Sequence, residues 1–241
     1  MIGRTFVDLQ QNIEIEDIVK KLRELEGRTF RTSKGNNYTL SKIINGETKD
    51  YFSENSKSRD FVPILLSLSV EMRGTRPKLN SSRTDIQIEK YTRNVNKDPF
   101  FWIFKDKIIF SKVSETRDYV ITILNQIFRP PIEIPFYDIN KLHKDYKDTG
   151  KIKGYGFNGR KDSANAGSLY FHNGIDETDV MVQETDNVGK SFVSLTQVID
   201  DSDFSVYSTG AIVISKDWFN MTTYINKLME IRDFLRPYEK N

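Results

Sequence analysis

The sequence predicts an α+β fold: two related β-α-β(4)-α halves forming a curved antiparallel sheet with helices on one face. Three observations predict it. The stretch "FFWIFKDKIIFSK", starting at Phe100, returns 104 residues later as "FSVYSTGAIVISK", which places Ile108 to Lys112 on Ile212 to Lys216 and Phe100 on Phe204. After each copy the apolar period changes from two to 3.6, and each helical run ends at Arg-Pro, Arg129-Pro130 in the first copy and Arg236-Pro237 in the second. Upstream of each copy lies the same order of a short strand followed by an amphipathic segment.

The first half, residues 1–130, opens with a strand over Arg4 to Leu9. A helix over Ile13 to Gly27 follows, because Ile15, Ile18, Val19, Leu22 and Leu25 share one face and Gly27 supplies a C-terminal stop. Strand-like alternation then marks Arg28 to Thr32, Tyr38 to Ile44 and Asp85 to Arg93. The first hairpin turns at Lys105 to Lys107 and feeds a helix from Ser114, whose hydroxyl suits an N-cap, to Arg129, where Pro130 and Pro131 stop it. Residues near 50–83 read as an insertion, with an apolar helical or buried segment from Phe61 to Met72 and then the irregular "RGTRPKLNSSR".

The second half, residues 131–241, offers a strand after Ile132, a short helix from Asp138, and strands over Lys151 to Phe157, Ser168 to Phe171, Val180 to Gln183 and Lys190 to Ile199. Its hairpin turns at Thr209 to Ala211, with Gly210 supplying the positive φ that a tight turn favours. Tyr224, Ile225, Leu228, Met229, Ile231 and Leu235 then form the stripe of the closing helix.

This doubled order resembles the TATA-box-binding protein family. The likeness is closest in "FFWIFKDKIIFSKVSETRDYVITILNQIF", a strand, short turn, strand and helix, and in the strand-Gly-strand of "FSVYSTGAIVIS". It extends over nearly the whole chain in element order and over the hairpin and helix of each half in pattern. The resemblance implies a curved sheet with helices on its convex side and a nucleic-acid-handling or other non-catalytic role. The chain departs from that pattern in the insertion near 50–83 and in lacking the overall basic character of a minor-groove saddle.

With 241 residues, 37% of them hydrophobic, the chain is long and apolar enough to bury a sizeable core. The absence of cysteine excludes disulfides, thiolate catalysis and Cys-type zinc sites, and no cofactor loop is recognisable, so none is expected. No apolar signal-like segment opens the sequence, and the most apolar run, Phe61 to Met72, contains Pro63 and is too short to span a bilayer. No membrane segment and a cytoplasmic location are therefore expected.

The net charge of +2 conceals an asymmetry. Between Arg73 and Lys97 seven cations (Arg73, Arg76, Lys78, Arg83, Lys90, Arg93, Lys97) face two carboxylates, whereas between Asp176 and Asp203 one lysine faces eight carboxylates. The basic run, interleaved with Gly74, Pro77 and Ser81-Ser82, reads either as a solvated loop or as a loop that tracks a phosphate backbone. Phe100 to Phe104 is apolar on both faces, so its outer face is either covered or open; if open, Trp102 is the stacking or wedge residue. The glycine-rich "GYGFNGRKDSANAG" lacks the strand-to-helix setting of a phosphate cradle, which leaves Arg160 and Lys161 as secondary phosphate contacts at a hairpin tip.

Catalytic signals are weaker. His143 and His172 sit in unlike contexts, and the ordinary reading of each is a surface or locally bonded histidine. Asp200, Asp201 and Asp203 suit a polar turn, and only with Asp176 and Asp179 would they suit a divalent cation. The leading expectation is a non-catalytic protein that contacts DNA or RNA through the basic insertion and sheet surface. The alternative is a protein-interaction module of a mobile-element or host-defence system, docking a partner or a second copy through its acidic flank and aromatic surface. A metal-dependent nuclease using Asp200 and Asp201 is the third reading.

Overall fold

The computed structural model describes residues 4–9, 13–32, 35–45, 61–79, 86–111, 114–158, 166–172, 175–176, 178–215 and 221–240. Among these the chain forms β1 (Arg4–Asp8), α1 (Ile15–Arg23), β2 (Thr29–Arg31), β3 (Asn37–Asn45), β4 (Phe61–Leu79), β5 (Ile86–Lys97), β6 (Phe100–Phe104), β7 (Lys107–Ser111) and α2 (Ser114–Leu124). It continues with β8 (Phe136–Tyr137), α3 (Ile139–Tyr146), β9 (Ile152–Asn158), β10 (Ala166–Tyr170), α4 (Val180–Asp186), β11 (Gly189–Thr196), β12 (Asp203–Tyr207), β13 (Ala211–Ile214), α5 (Met221–Leu235) and β14 (Glu239–Lys240).

Twelve strands form one open antiparallel sheet in the order β10-β9-β11-β12-β13-β1-β7-β6-β4-β3-β2, with β5 added alongside β4. The N-terminal strand is the seam. Arg4 to Asp8 of β1 pair along β7, while Arg4 and Thr5 also pair with Ile212 and Ala211 of β13. Both expected hairpins form: Phe101 lies opposite Phe110 in β6–β7, and Phe204 opposite Ile214 in β12–β13. Gly210, at φ 83°, makes the second turn and lies so close to the Pro135 carbonyl that a Cβ would sit 2.2 Å from it. The strand expected after Ile132 is only β8, and it leaves the main sheet to pair with β14.

The helices cover both faces of the sheet, not one. Neighbouring residues of a strand point to opposite faces. Val7, Phe101, Ile103 and Ile108 pack with Ile15, Ile18 and Leu22 of α1 and Val120, Ile123 and Leu124 of α2. Phe6, Trp102, Phe104 and Ile109 pack instead with Ile225, Leu228 and Ile231 of α5, in a core that also takes Leu142 of α3 and Phe204, Val206 and Ile212 of the second hairpin. A strand buried on both faces needs apolar side chains at every position, which is why "FFWIF" does not alternate. Each such side chain contributes roughly 1.5–3 kcal/mol through its burial.

Two expected elements differ. Of the two readings of Phe61 to Met72, the buried one holds and the helical one does not: it is the first part of β4, lying between β3 and β6 with Ile64, Leu66, Leu68 and Val70 buried. Val180 to Gln183 is the start of helix α4, because the Asp179 carboxylate accepts a hydrogen bond from the Met181 backbone N–H at 2.7 Å and caps it.

Candidate nucleic-acid interface

β4 is far longer than its neighbours in the sheet. Its pairing with β3 ends at Tyr38 opposite Val70, and its pairing with β6 spans Phe61 to Leu65. From Glu71 opposite Asn94 to Leu79 opposite Ile86, β4 and β5 pair only with each other among the described residues. Residues 73–79, expected to be irregular, are therefore one strand of a two-stranded ribbon whose other strand is the one expected over Asp85 to Arg93. At about 3.4 Å per residue these nine cross-strand pairs carry it roughly 27 Å beyond the sheet.

The register sorts its side chains. One face carries Met72, Gly74, Arg76 and Lys78 opposite Arg93, Tyr91, Glu89 and Gln87; the other carries Arg73, Thr75 and Pro77 opposite Thr92, Lys90 and Ile88. The described ribbon residues hold five cations (Arg73, Arg76, Lys78, Lys90, Arg93) against Glu71 and Glu89, a net +3. All five cations are exposed. Tyr91 lies flat across Gly74, where a Cβ would approach its ring to 2.8 Å, and the Arg76 guanidinium sits 5.7 Å from the ring centroid. Glycine here makes room for an aromatic ring beside the Arg76 guanidinium.

Glu89 organises the basic face. Its carboxylate accepts from Lys78 at 3.0 Å and from Arg76 at 2.9 Å, and these two bonds hold its pKa below the usual carboxylate range. Arg73 pairs with Glu71 at 2.9 Å. These are solvent-exposed ion pairs and cost little to exchange for phosphate oxygens. Pro77 and the row of charges also protect the ribbon's outer edges from pairing with another strand.

The remaining predicted site residues are placed differently. Trp102 is 2% exposed, with the Arg4 guanidinium 4.5 Å from its ring centroid and Phe100 edge-on at 5.3 Å, so it offers no ring face to a base. Its side chain points into the core beneath α5. Arg83, Arg160 and Lys161 lie outside the described residues.

Asp176, Asp200 and Asp203 of the acidic run each have local partners. Asp200 and Glu230 both accept from the buried Lys227 ammonium at 2.6 Å. Burial alone would raise the Asp203 pKa, but hydrogen bonds from Lys153 and Thr196 hold it below the usual range. Asp176 accepts from the backbone N–H and hydroxyl of Thr178. Among the described residues no group of three or more His, Asp or Glu side chains is arranged to hold a metal ion.

His143 is buried beside the Tyr155 ring, at a centroid distance of 4.8 Å. Burial, reinforced by the Lys190 charge, pushes its pKa down to about 4. Lys190 itself donates to the carbonyls of Thr185, Asp186 and Val188 at the end of α4, a capping role.

A second exposed surface escaped the sequence reading. On the sheet face opposite α5 in the second half, exposed Tyr170 adjoins half-buried Phe192, which adjoins half-buried Tyr207, with centroid separations of 6.2 and 5.2 Å. Tyr170 and Phe192 rest on Gly154 and Gly156, whose added Cβ atoms would meet the rings at 2.7 and 2.5 Å. The period-two spacing of these glycines in "GYGF" was the available signal.

No protein-family model matches the chain, and no curated protein matches its sequence. Among the described residues no helix is long and apolar enough to cross a membrane.

Proposed function

We propose that the protein is a non-catalytic nucleic-acid-binding protein whose contact element is the β4–β5 ribbon. One observation carries this reading: a two-stranded ribbon projects from the sheet and presents five exposed cations along its length. β-ribbons of this kind enter the major or the minor groove of B-form DNA. Arg73, Arg76, Lys78, Lys90 and Arg93 contact phosphates, and Tyr91 stiffens the basic face by packing on Gly74. The sheet and its helices serve as the platform. That platform, on this reading, is a doubled strand-strand-helix unit; β6-β7-α2 and β12-β13-α5 flanking the single strand β1 support the doubling, while α2 and α5 on opposite faces of the sheet depart from the one-sided helices of the TATA-box-binding protein fold. Fluorescence anisotropy of labelled oligonucleotides across a salt series tests the function. Binding that weakens steeply with salt for all sequences alike is expected, and no complex at low salt would refute it.

A second reading, a protein-interaction module, rests on the open face of Tyr170, Phe192 and Tyr207. It requires self-association or a stable partner that survives high salt and is lost on changing Tyr170 and Phe192 to serine.

A further inference from the structure

The ribbon has a second character that phosphate contact does not use. On the face opposite Arg76 and Lys78, the outermost described positions are apolar. Ile88 is 67% exposed, Ile86 is 65% exposed, and exposed Pro77 lies directly across from Ile88. Lone exposed apolar residues are ordinary; a cluster at the outermost described positions of a cationic arm is not.

We infer that the ribbon enters a groove of duplex DNA and that Ile86 and Ile88, with Pro77, press against the base pairs and unstack a step, bending the duplex. This rests on the nucleic-acid reading above. Two properties of the arm select the ligand. Its charge complements a polyanion along both strands, whereas an apolar arm that docked a protein would not need cations on each face. Its chemistry suits a duplex: Ile has no π face on which single-stranded bases stack, and the deep, narrow major groove of A-form RNA does not admit the ribbon. Aliphatic side chains and proline are the residue types that act as wedges between base steps, and the larger protein surface that a bent duplex wraps offsets the unstacking. In this arrangement the cations on both strands hold the phosphates on either side of the groove while the apolar end reaches the bases.

The test uses the full chain, the double variant Ile86→Ser/Ile88→Ser, and a set of duplexes carrying 2-aminopurine at successive steps and dyes at both ends. Wild-type protein is expected to raise 2-aminopurine fluorescence severalfold at one or two adjacent steps and to shorten the end-to-end distance. The variant, with an unchanged melting temperature, should lose both signals and bind about tenfold more weakly while keeping the same salt dependence. Salt-dependent duplex binding with no fluorescence change and no bend would overturn the wedge and leave the proposed function standing; no duplex binding at all would remove both. Equal affinity for double-stranded RNA or single-stranded DNA would overturn the choice of duplex DNA. A wild-type dimer in sedimentation that the serine variant dissociates would assign the apolar end to a second copy of the chain and overturn the inference.

Discussion

Neutralising the basic face of the ribbon with Arg76→Gln, Lys78→Gln and Arg93→Gln has an effect whose size follows from the number of exposed cations. Each phosphate contact releases a condensed counterion, so the logarithm of affinity falls with the logarithm of salt with a slope of about 0.9 per contact. If all five exposed cations engage phosphates, the wild-type slope is about −4.5, equivalent to a loss of roughly 500-fold between 50 and 200 mM salt. Arg73 and Lys90 alone leave a slope of about −1.8, or a loss of about 12-fold over the same interval. Because the two lines converge near 1 M salt, the triple variant binds on the order of 500-fold more weakly at 0.1 M. Anisotropy titrations at five or six salt concentrations measure both slopes. A variant slope equal to that of the wild type, with binding retained, would refute the assignment of these side chains to phosphate.

Two other perturbations separate the arm from the scaffold. Glu89→Gln removes the carboxylate that Arg76 and Lys78 share and that phosphates must displace, so duplex affinity should rise while the salt slope stays near that of the wild type; weaker binding would mean that the ion pairs preorganise the arm. Folding stability should fall with acid through His143. Its pKa drops from 6.5 to about 4 on folding, so the neutral form favoured by burial contributes fully above 6.5, and that contribution is lost progressively as pH falls from 6.5 toward 4. The loss at pH 5 is about 2 kcal/mol. Denaturant melts of wild type and His143→Phe at pH 7 and pH 5 should differ by that amount, and an equal pH dependence in the two proteins would dismiss the assignment.

Much of this architecture was legible where a period was clean. The α1 stripe of Ile15, Ile18 and Leu22, the strands over Tyr38 to Ile44 and Lys151 to Phe157, and both hairpins are local patterns, and they form as expected. The failures are non-local. A strand buried on both faces has no period, so Phe61 to Met72 was indistinguishable from a buried helix until β3 and β6 were seen on either side of it. Nothing within "FFWIF" announces that α5, more than a hundred residues later, covers Trp102. The cations of the candidate site were legible as charge, but Gly74 and Pro77 read as loop punctuation. In fact Gly74 admits the Tyr91 ring and Pro77 sits in a strand whose outer edge needs no donor. What charge counting could not supply was the register, which puts Arg76, Lys78 and Arg93 on one face and Ile88 with Pro77 on the other.

Removing the arm tests the central claim most directly. Glu71 and Asn94 are opposite one another, so replacing residues 72–93 with Asn-Gly closes the hairpin through a favoured two-residue turn and leaves the buried Leu68 and Val70 in place. The shortened protein should melt within a few degrees of the wild type and show no salt-dependent duplex binding at 50 mM salt. A folded, armless protein that binds duplex DNA as tightly as the intact chain would contradict the account.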